Sequence, residues 1–231
     1  MIIALSGRKQ AGKHTIYRLI HAIGLHQNFL TRDCSWADPL KRMCIDILGV
    51  KSFQVYGDDA AKNTPVPHLL WENFPIEESR RIRNAHGLVV AMRTGPMTGR
   101  EVMQHWGTNI FRVAYGQVWV EATIRKIEAV EREHSYLRLI NTDTRFPNEV
   151  AAVQEIDGKV LRLTHDPFHQ DHASETALDR DRFDWSRFDA VVDNANVGPE
   201  ATLRMVYPLL LAWGVIEPVT DLDRIIAEVL A

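Results

Sequence analysis

The chain opens on an apolar run, Ile2-Ile3-Ala4-Leu5, that leads into Gly7-Arg8-Lys9-Gln10-Ala11-Gly12-Lys13, after which Ile16, Leu19, Ile20 and Ile23 recur at helical spacing. That order predicts a buried parallel strand, a tight glycine loop and an amphipathic helix. Gly7 and Gly12 let the backbone curl until its N–H groups converge on one anion. The helix N-terminus adds partial positive charge, and Lys13 is long enough to reach outer phosphates. A plain glycine turn would not explain a Lys placed directly after the second Gly. Residues 7 to 15 are therefore the candidate cradle for the phosphates of a nucleotide.

The next position departs from the pattern. A Ser or Thr normally follows the Lys and offers its hydroxyl to Mg²⁺. Here His14 stands there, with Thr15 next. Mg²⁺ prefers oxygen, so imidazole is a poor ligand for it. Either Thr15 takes over, or the ion is held by nucleotide, water and a carboxylate elsewhere.

Composition narrows the class of protein. A chain of 231 residues, 45% hydrophobic and 25% charged, can bury a substantial core as one α/β domain with insertions. A formal net charge of −3 gives no electrostatic footprint for a nucleic-acid polymer. Cys34 and Cys44 form neither a metal-spaced pair nor a disulfide framework, and read as reduced core thiols. No apolar run reaches membrane-spanning length and no signal-peptide pattern opens the chain, so the expected setting is the cytoplasm, away from membranes.

Downstream, residues 29–36 read as a second strand and 37–48 as a helix. Asp38 and Pro39 suit its cap and first turn. Asp38 and Lys41 are also candidates for facing a substrate, the carboxylate to orient an acceptor and the Lys to hold a phosphate. Residues 50–97 read as an irregular inserted region with a short helix over 76–85, on which Arg80, Arg81 and Arg83 form a solvated face. Thr98 and Glu101 make a capping box for a helix that Gly107 is expected to end. Arg100, Gln104 and Thr108 share one polar stripe of it, able to grip a phosphate and a base edge or merely to meet solvent. A long helix follows over 117–132, with Trp119 expected in the core.

Residues 137–142 read as a central strand with Asp143 and Arg145 at its carboxyl end, where open parallel sheets bind ligands. An Asp there can hold Mg²⁺, and an Arg can neutralise a phosphate in transfer. A helix over 146–156 and a strand over 159–164 complete a βαβ unit. The polar stretch 165–187 carries His169, Asp171, His172 and Glu175. Its spacing is not a recognised zinc pattern, and a polar active-site loop is the better reading. A strand over 189–194 ends in Asn194, suited to an adenine edge or to a turn. Helices over 199–213 and 220–230 close the chain.

These residues resemble, in order, those of the deoxynucleoside monophosphate kinases of tailed bacteriophages. The likeness rests on Gly7-x4-Gly12-Lys13-His14-Thr15, Ala37-x-Pro39-Leu40-Lys41, Arg100-x-x-Met103-Gln104-x-x-Gly107-Thr108, Trp119-Val120, Asp143-Thr144-Arg145-x-x-x-Glu149, His172-x-Ser174-Glu175 and Asn194. It covers most of the chain and is weakest between Val50 and Arg93. Family members usually carry Asp after the loop Lys, so His14 departs here too.

The resemblance implies a P-loop kinase-type three-layer α/β fold, with a mostly parallel central sheet, flanking helices and a helical substrate-binding insertion. It implies transfer of the γ-phosphoryl of ATP, with Mg²⁺, onto a deoxynucleoside monophosphate. Gly7, Arg8, Lys9, Gln10, Ala11, Gly12, Lys13, His14, Thr15 and Asn194 would then serve ATP. Thr15 and Asp143 would serve the metal. Lys13, Lys41, Asp143 and Arg145 would carry catalysis, and Asp38, Lys41, Arg100, Gln104, Thr108, Arg145, His172 and Glu175 the acceptor. A homodimer is compatible with the pattern. Two readings stay open beside this one: a related small-molecule kinase, such as one acting on dephospho-coenzyme A, and a regulatory module that binds ATP without transferring phosphate.

Overall fold

A computed structural model describes residues 1–74, 80–134, 136–167 and 176–231. The chain divides into two compact units, Met1–Trp36 with Val120–Ala231, and Ala37–Trp119 between them in sequence. The first elements are β1 (Ile2–Ser6), α1 (Lys13–His26), β2 (Leu30–Asp33), α2 (Asp38–Asp46), α3 (Ser52–Tyr56) and α4 (Asp59–Lys62). Strands β3 (Pro65–Leu70), β4 (Arg81–Arg83), β5 (Val89–Met92) and β6 (Pro96–Thr98) follow, then α5 (Gly99–Gln104) and a π-helix over His105–Arg112. The rest comprises α6 (Val118–Glu133), β7 (Leu137–Thr144), α7 (Pro147–Glu155), β8 (Lys159–Leu163), β9 (Ala190–Val192), α8 (Pro199–Ala212) and α9 (Leu222–Leu230).

The first unit is a mixed α/β fold in three layers. Its central sheet has five strands in the order β2-β7-β1-β8-β9, every described pair parallel. All of β1 is buried, as a strand covered on both faces must be. Alternation divides it: Ile3 and Leu5 join Ile16, Leu19 and Ile20 of α1 and the apolar sides of α8 and α9. Ile2 and Ala4 face the other way, into a cluster with Ile127 of α6 and Val150 and Val153 of α7. From β1 the chain runs by α1 to the β2 edge. From β7 it crosses β1 by α7 to β8, so the direction of the connections reverses at β1. A crevice for ligands belongs at the carboxyl end of the strands around such a point.

The second unit is built on a small cluster in which Cys44, Val55, Val66, Met97 and Val102 are buried. Here two expectations are corrected. Residues 81–83 form a strand paired antiparallel with β5 rather than the end of a helix, and 75–79 lie outside the described residues. Gly107 does not end its helix either. It sits inside the π-helix, where an added Cβ would meet the end of the Leu40 side chain, so close packing rather than a turn accounts for glycine there. The capping box of Thr98 with Glu101 is formed. Cys34 and Cys44 are free and buried, and Trp119 is 7% exposed. No described helix is long and apolar enough to cross a membrane.

Candidate functional site

The loop between β1 and α1 carries three residues at positive φ. Gly7 (φ +155°), Gln10 (φ +60°) and Gly12 (φ +100°) all adopt positive φ, so the chain curls tightly between β1 and α1. Gly12 caps α1, so the amides of Lys13 and His14 stand in its first turn without helical acceptors. Lys13 Nζ donates to Gly7 O at 2.6 Å and to Arg8 O at 2.7 Å, folding the ammonium back over the loop. Burial lowers its pKa to about 7, helped by the positive charges of Arg145 and Arg162 and opposed by Asp143. Lys13, Arg145 and Asp143, singled out from distant stretches of sequence, thus share one electrostatic neighbourhood, and Arg162 of β8 joins them.

Asp143 is the penultimate residue of β7, next to the strand that carries the loop. Its Oδ2 accepts from Ser35 Oγ at 2.6 Å and its Oδ1 from the Trp36 amide at 3.1 Å. Asn141 fixes the strand end by accepting from the Asp143 amide and from Thr144 Oγ1, and by donating to Cys34 O at 2.7 Å. Arg145 is half-buried, and its amide donates to Glu149 Oε2, a carboxylate 2% exposed that also caps α7 through the Phe146 amide. Ser35, Trp36 and Asn141 carry no local motif, so their part in orienting Asp143 appears only once β2 and β7 pair.

Thr15 is half-buried and helps to line a cleft of about 180 Å³ with Gly12, Asn194, Val197, Pro199 and Thr202. His14 is exposed and stacks on Tyr17, with ring centroids 5.6 Å apart, and Tyr17 stacks in turn on His21. Asn194 is 4% exposed and its amide is already employed: Oδ1 accepts from the Thr164 and His165 amides, and Nδ2 donates to Ala11 O at 2.9 Å. It makes the turn after β9 and ties it to the loop. Arg8 does not line the cradle with its side chain; the guanidinium is buried against Asp179 at 2.6 Å. Arg162 and Asp179 were not indicated by any motif.

Within the second unit, Asp38 is the first residue of α2 rather than its cap, and accepts from Tyr56 OH at 2.6 Å. Lys41 Nζ lies 4.9 Å from the centre of the same tyrosine ring. Arg100 pairs with Asp59 at 2.7 Å and donates to Asn63 at 3.2 Å. Lys62, which sequence reasoning passed over, belongs with them: burial first, then the charges of Lys41 and Arg100, lower its pKa. Lys41, Lys62 and Arg100 therefore form one cluster of cations, opposed by the carboxylates of Asp58 and Asp59. Gln104 and Thr108 are exposed, and the wider turn of the π-helix separates Thr108 from the stripe that α-helical spacing implies. His172 and Glu175, like His169 and Asp171, lie outside the described residues.

Among the described residues no group of three or more His, Cys, Asp or Glu side chains is placed to hold a metal ion by itself. Thr15 and Asp143 carry oxygen donors, the kind Mg²⁺ prefers. No protein-family model matches the chain, and no curated protein matches it.

Proposed function

We propose that the chain is a P-loop kinase that moves the γ-phosphoryl group of ATP onto a deoxynucleoside 5′-monophosphate. The observation that carries this reading is the meeting of Lys13 with Arg145 and Asp143 at the carboxyl end of a parallel sheet, above a loop of positive-φ residues. Phosphoryl transfer asks chiefly for positioning and for neutralisation of developing charge. The loop amides would hold the β-phosphate. Lys13 would leave the Gly7 and Arg8 carbonyls to bridge the β- and γ-phosphates, and Arg145 would meet the charge that builds between donor and acceptor. Mg²⁺, held through Thr15, Asp143 and water, would add neutralisation of the phosphate oxygens. Within the second unit, Lys41, Lys62 and Arg100 are cations of the kind that binds a monophosphate. The attacking oxygen is itself a largely ionised phosphate at pH 7, so no strong general base is required.

The cleft beside Thr15, Val197 and Pro199 offers apolar walls to the adenine, with Asn194 holding the wall rather than reading the base. ADP release measured with dGMP, dTMP, dCMP, dAMP and dephospho-coenzyme A tests the proposal. Turnover with one or more of the deoxynucleotides supports it. Activity with dephospho-coenzyme A alone, or ATP binding with no acceptor-dependent turnover, overturns it.

A further inference from the structure

Arg8 has two jobs in the loop, one for its backbone and one for its side chain. Its carbonyl accepts from the Ala11 amide at 3.1 Å and from Lys13 Nζ at 2.7 Å, so the position of Arg8 sets both the curl of the loop and the resting place of the ammonium. Its guanidinium leaves the cradle and pairs with Asp179 Oδ2 at 2.6 Å, with Asp166 Oδ2 at 3.8 Å from Nε. The other oxygen of Asp179 lies 3.6 Å from Arg162 Nη2. Arg162 in turn donates from Nη1 to Ser6 Oγ at 3.0 Å, at the strand end from which the loop departs. Arg8 and Arg162 are 8% and 4% exposed, and Arg162 Nε has no hydrogen-bond partner among the described residues.

Two buried guanidinium groups behind an anion cradle repel one another and are costly to desolvate. Asp179, bridging the two groups with Asp166 beside Arg8, relieves both penalties. Buried ion pairs of this kind add little net stability compared with apolar packing, and their best-attested use is to fix one arrangement among several.

We infer that Asp179 is a positioning residue for the phosphate cradle: by bracing Arg8 and Arg162 together it fixes the Arg8 carbonyl and hence the curl of the Gly7–Gly12 loop. The inference rests on the cradle part of the function proposed above, but not on the identity of the acceptor. It is separate from the reading of residues 165–187 as an active-site loop, because Asp179 acts here on the loop after β1.

The test is amide hydrogen exchange in the full chain without nucleotide, with the hydrogen-bonded Ala11 amide as the reporter. In Asp179→Asn the Ala11 amide should exchange about tenfold faster, the loss expected for a charge-assisted bond, while the amides of β1 and α9 keep their rates. Asp179→Glu, which retains the charge, should recover much of that protection. Arg8→Met should match the Asn variant, and the double variant should add nothing further. Faster exchange confined to residues 176–187, with Ala11 unchanged, would show that Asp179 only ties down its own segment and would overturn the inference. Titration with ATP then separates the two proposals. Weaker binding in Asp179→Asn with wild-type binding intact agrees with both. A wild-type chain that binds no ATP ends the kinase reading while the exchange result still decides the role of Asp179.

Discussion

The Lys13 ammonium lies 2.6 Å from the Gly7 carbonyl, so the cation that would grip a triphosphate closes the very loop that would hold it. Its pKa of about 7 follows from that enclosed position beside Arg145 and Arg162. Phosphate oxygens brought to the loop raise the value again, because opposite charge favours the protonated form. Between the free and bound values, binding therefore takes up a proton, and affinity for ATP falls by up to about tenfold per pH unit as pH rises. Calorimetry from pH 7.5 to 9, in buffers of different ionisation heat, should record that uptake. Lys13→Met should remove it together with most of the affinity. A pH-independent affinity in the wild type over this range would refute the role given to Lys13. The same depressed value has a consequence for folding: above about pH 7 the unfolded chain keeps a proton that the native chain lacks, so this group's contribution to stability rises toward its ordinary value of 10.5.

Gly7 and Gly12 should be intolerant of a side chain for different reasons. A Cβ on Gly7 would stand 3.0 Å from Ala11 Cβ and 3.3 Å from Leu163 Cβ, on a backbone already at φ +155°. At Gly12 the nearest neighbour is Asn194 Nδ2 at 3.9 Å, so only the φ of +100° opposes the substitution. Each Gly→Ala change should cost about 1–3 kcal/mol, Gly7 the more, as read by urea unfolding. Equal stability of Gly12→Ala and wild type would mean that the loop relaxes to another curl.

The cation cluster gives the acceptor side its own test. Lys62 carries a pKa lowered by burial and then by its neighbours Lys41 and Arg100, against the opposing charges of Asp59 and Asp58. Lys62→Met should raise the KM for a deoxynucleoside monophosphate by about tenfold and leave the KM for ATP unchanged, the pattern of lost uniform binding. A change in the ATP constant alone would move Lys62 to the donor side.

How far all this can be read from residues alone depends on how local the signal is. The strand, loop and helix at the start announce themselves, because glycine, lysine and helical periodicity act within one short stretch. The capping box at Thr98 and Glu101 and the apolar faces of β7 and β8 are legible for the same reason. The Arg8–Asp179–Arg162 bridge is not, since its members lie up to 171 positions apart and meet only when β8 pairs with β1. The strand at 81–83 was misread because three arginines and an isoleucine over residues 80–83 fit a helical face as well as a hairpin edge. Gly107 misled for a physical reason too. Glycine ends helices, but it also admits a close neighbour, and Leu40 is that neighbour.

At position 14 the residue type breaks the motif while the fold gives it an outward direction. His14 is exposed and touches the site through its backbone, with its ring stacked on Tyr17. His14→Ser should keep stability within about 0.5 kcal/mol and keep or raise Mg²⁺-dependent turnover, since it restores a hydroxyl at the first turn of α1. A severalfold loss of turnover in a folded variant would assign the imidazole a part in the chemistry.

His105 offers the last test, in the second unit. Its ring is 1% exposed, lies edge-on to Trp71 and Phe74 at 5.6 and 5.1 Å, and neither ring nitrogen has a hydrogen-bond partner among the described residues. Burial, and then the charge of Arg93, lower its pKa below the ordinary 6.5. Below pH 6.5 the unfolded chain binds a proton that the native His105 resists. The stability present above that pH is therefore lost as pH falls toward the folded value. His105→Leu removes both the unpaired nitrogens and the titration, so the variant should be about 1 kcal/mol more stable at pH 7, with an advantage that widens on acidification. The difference between the two urea-unfolding curves, taken at pH 7 and pH 5, isolates this residue from the other histidines. A variant less stable than wild type, with the gap between them constant in pH, would mean that the imidazole nitrogens have partners and that the pocket around them is built to hold something polar.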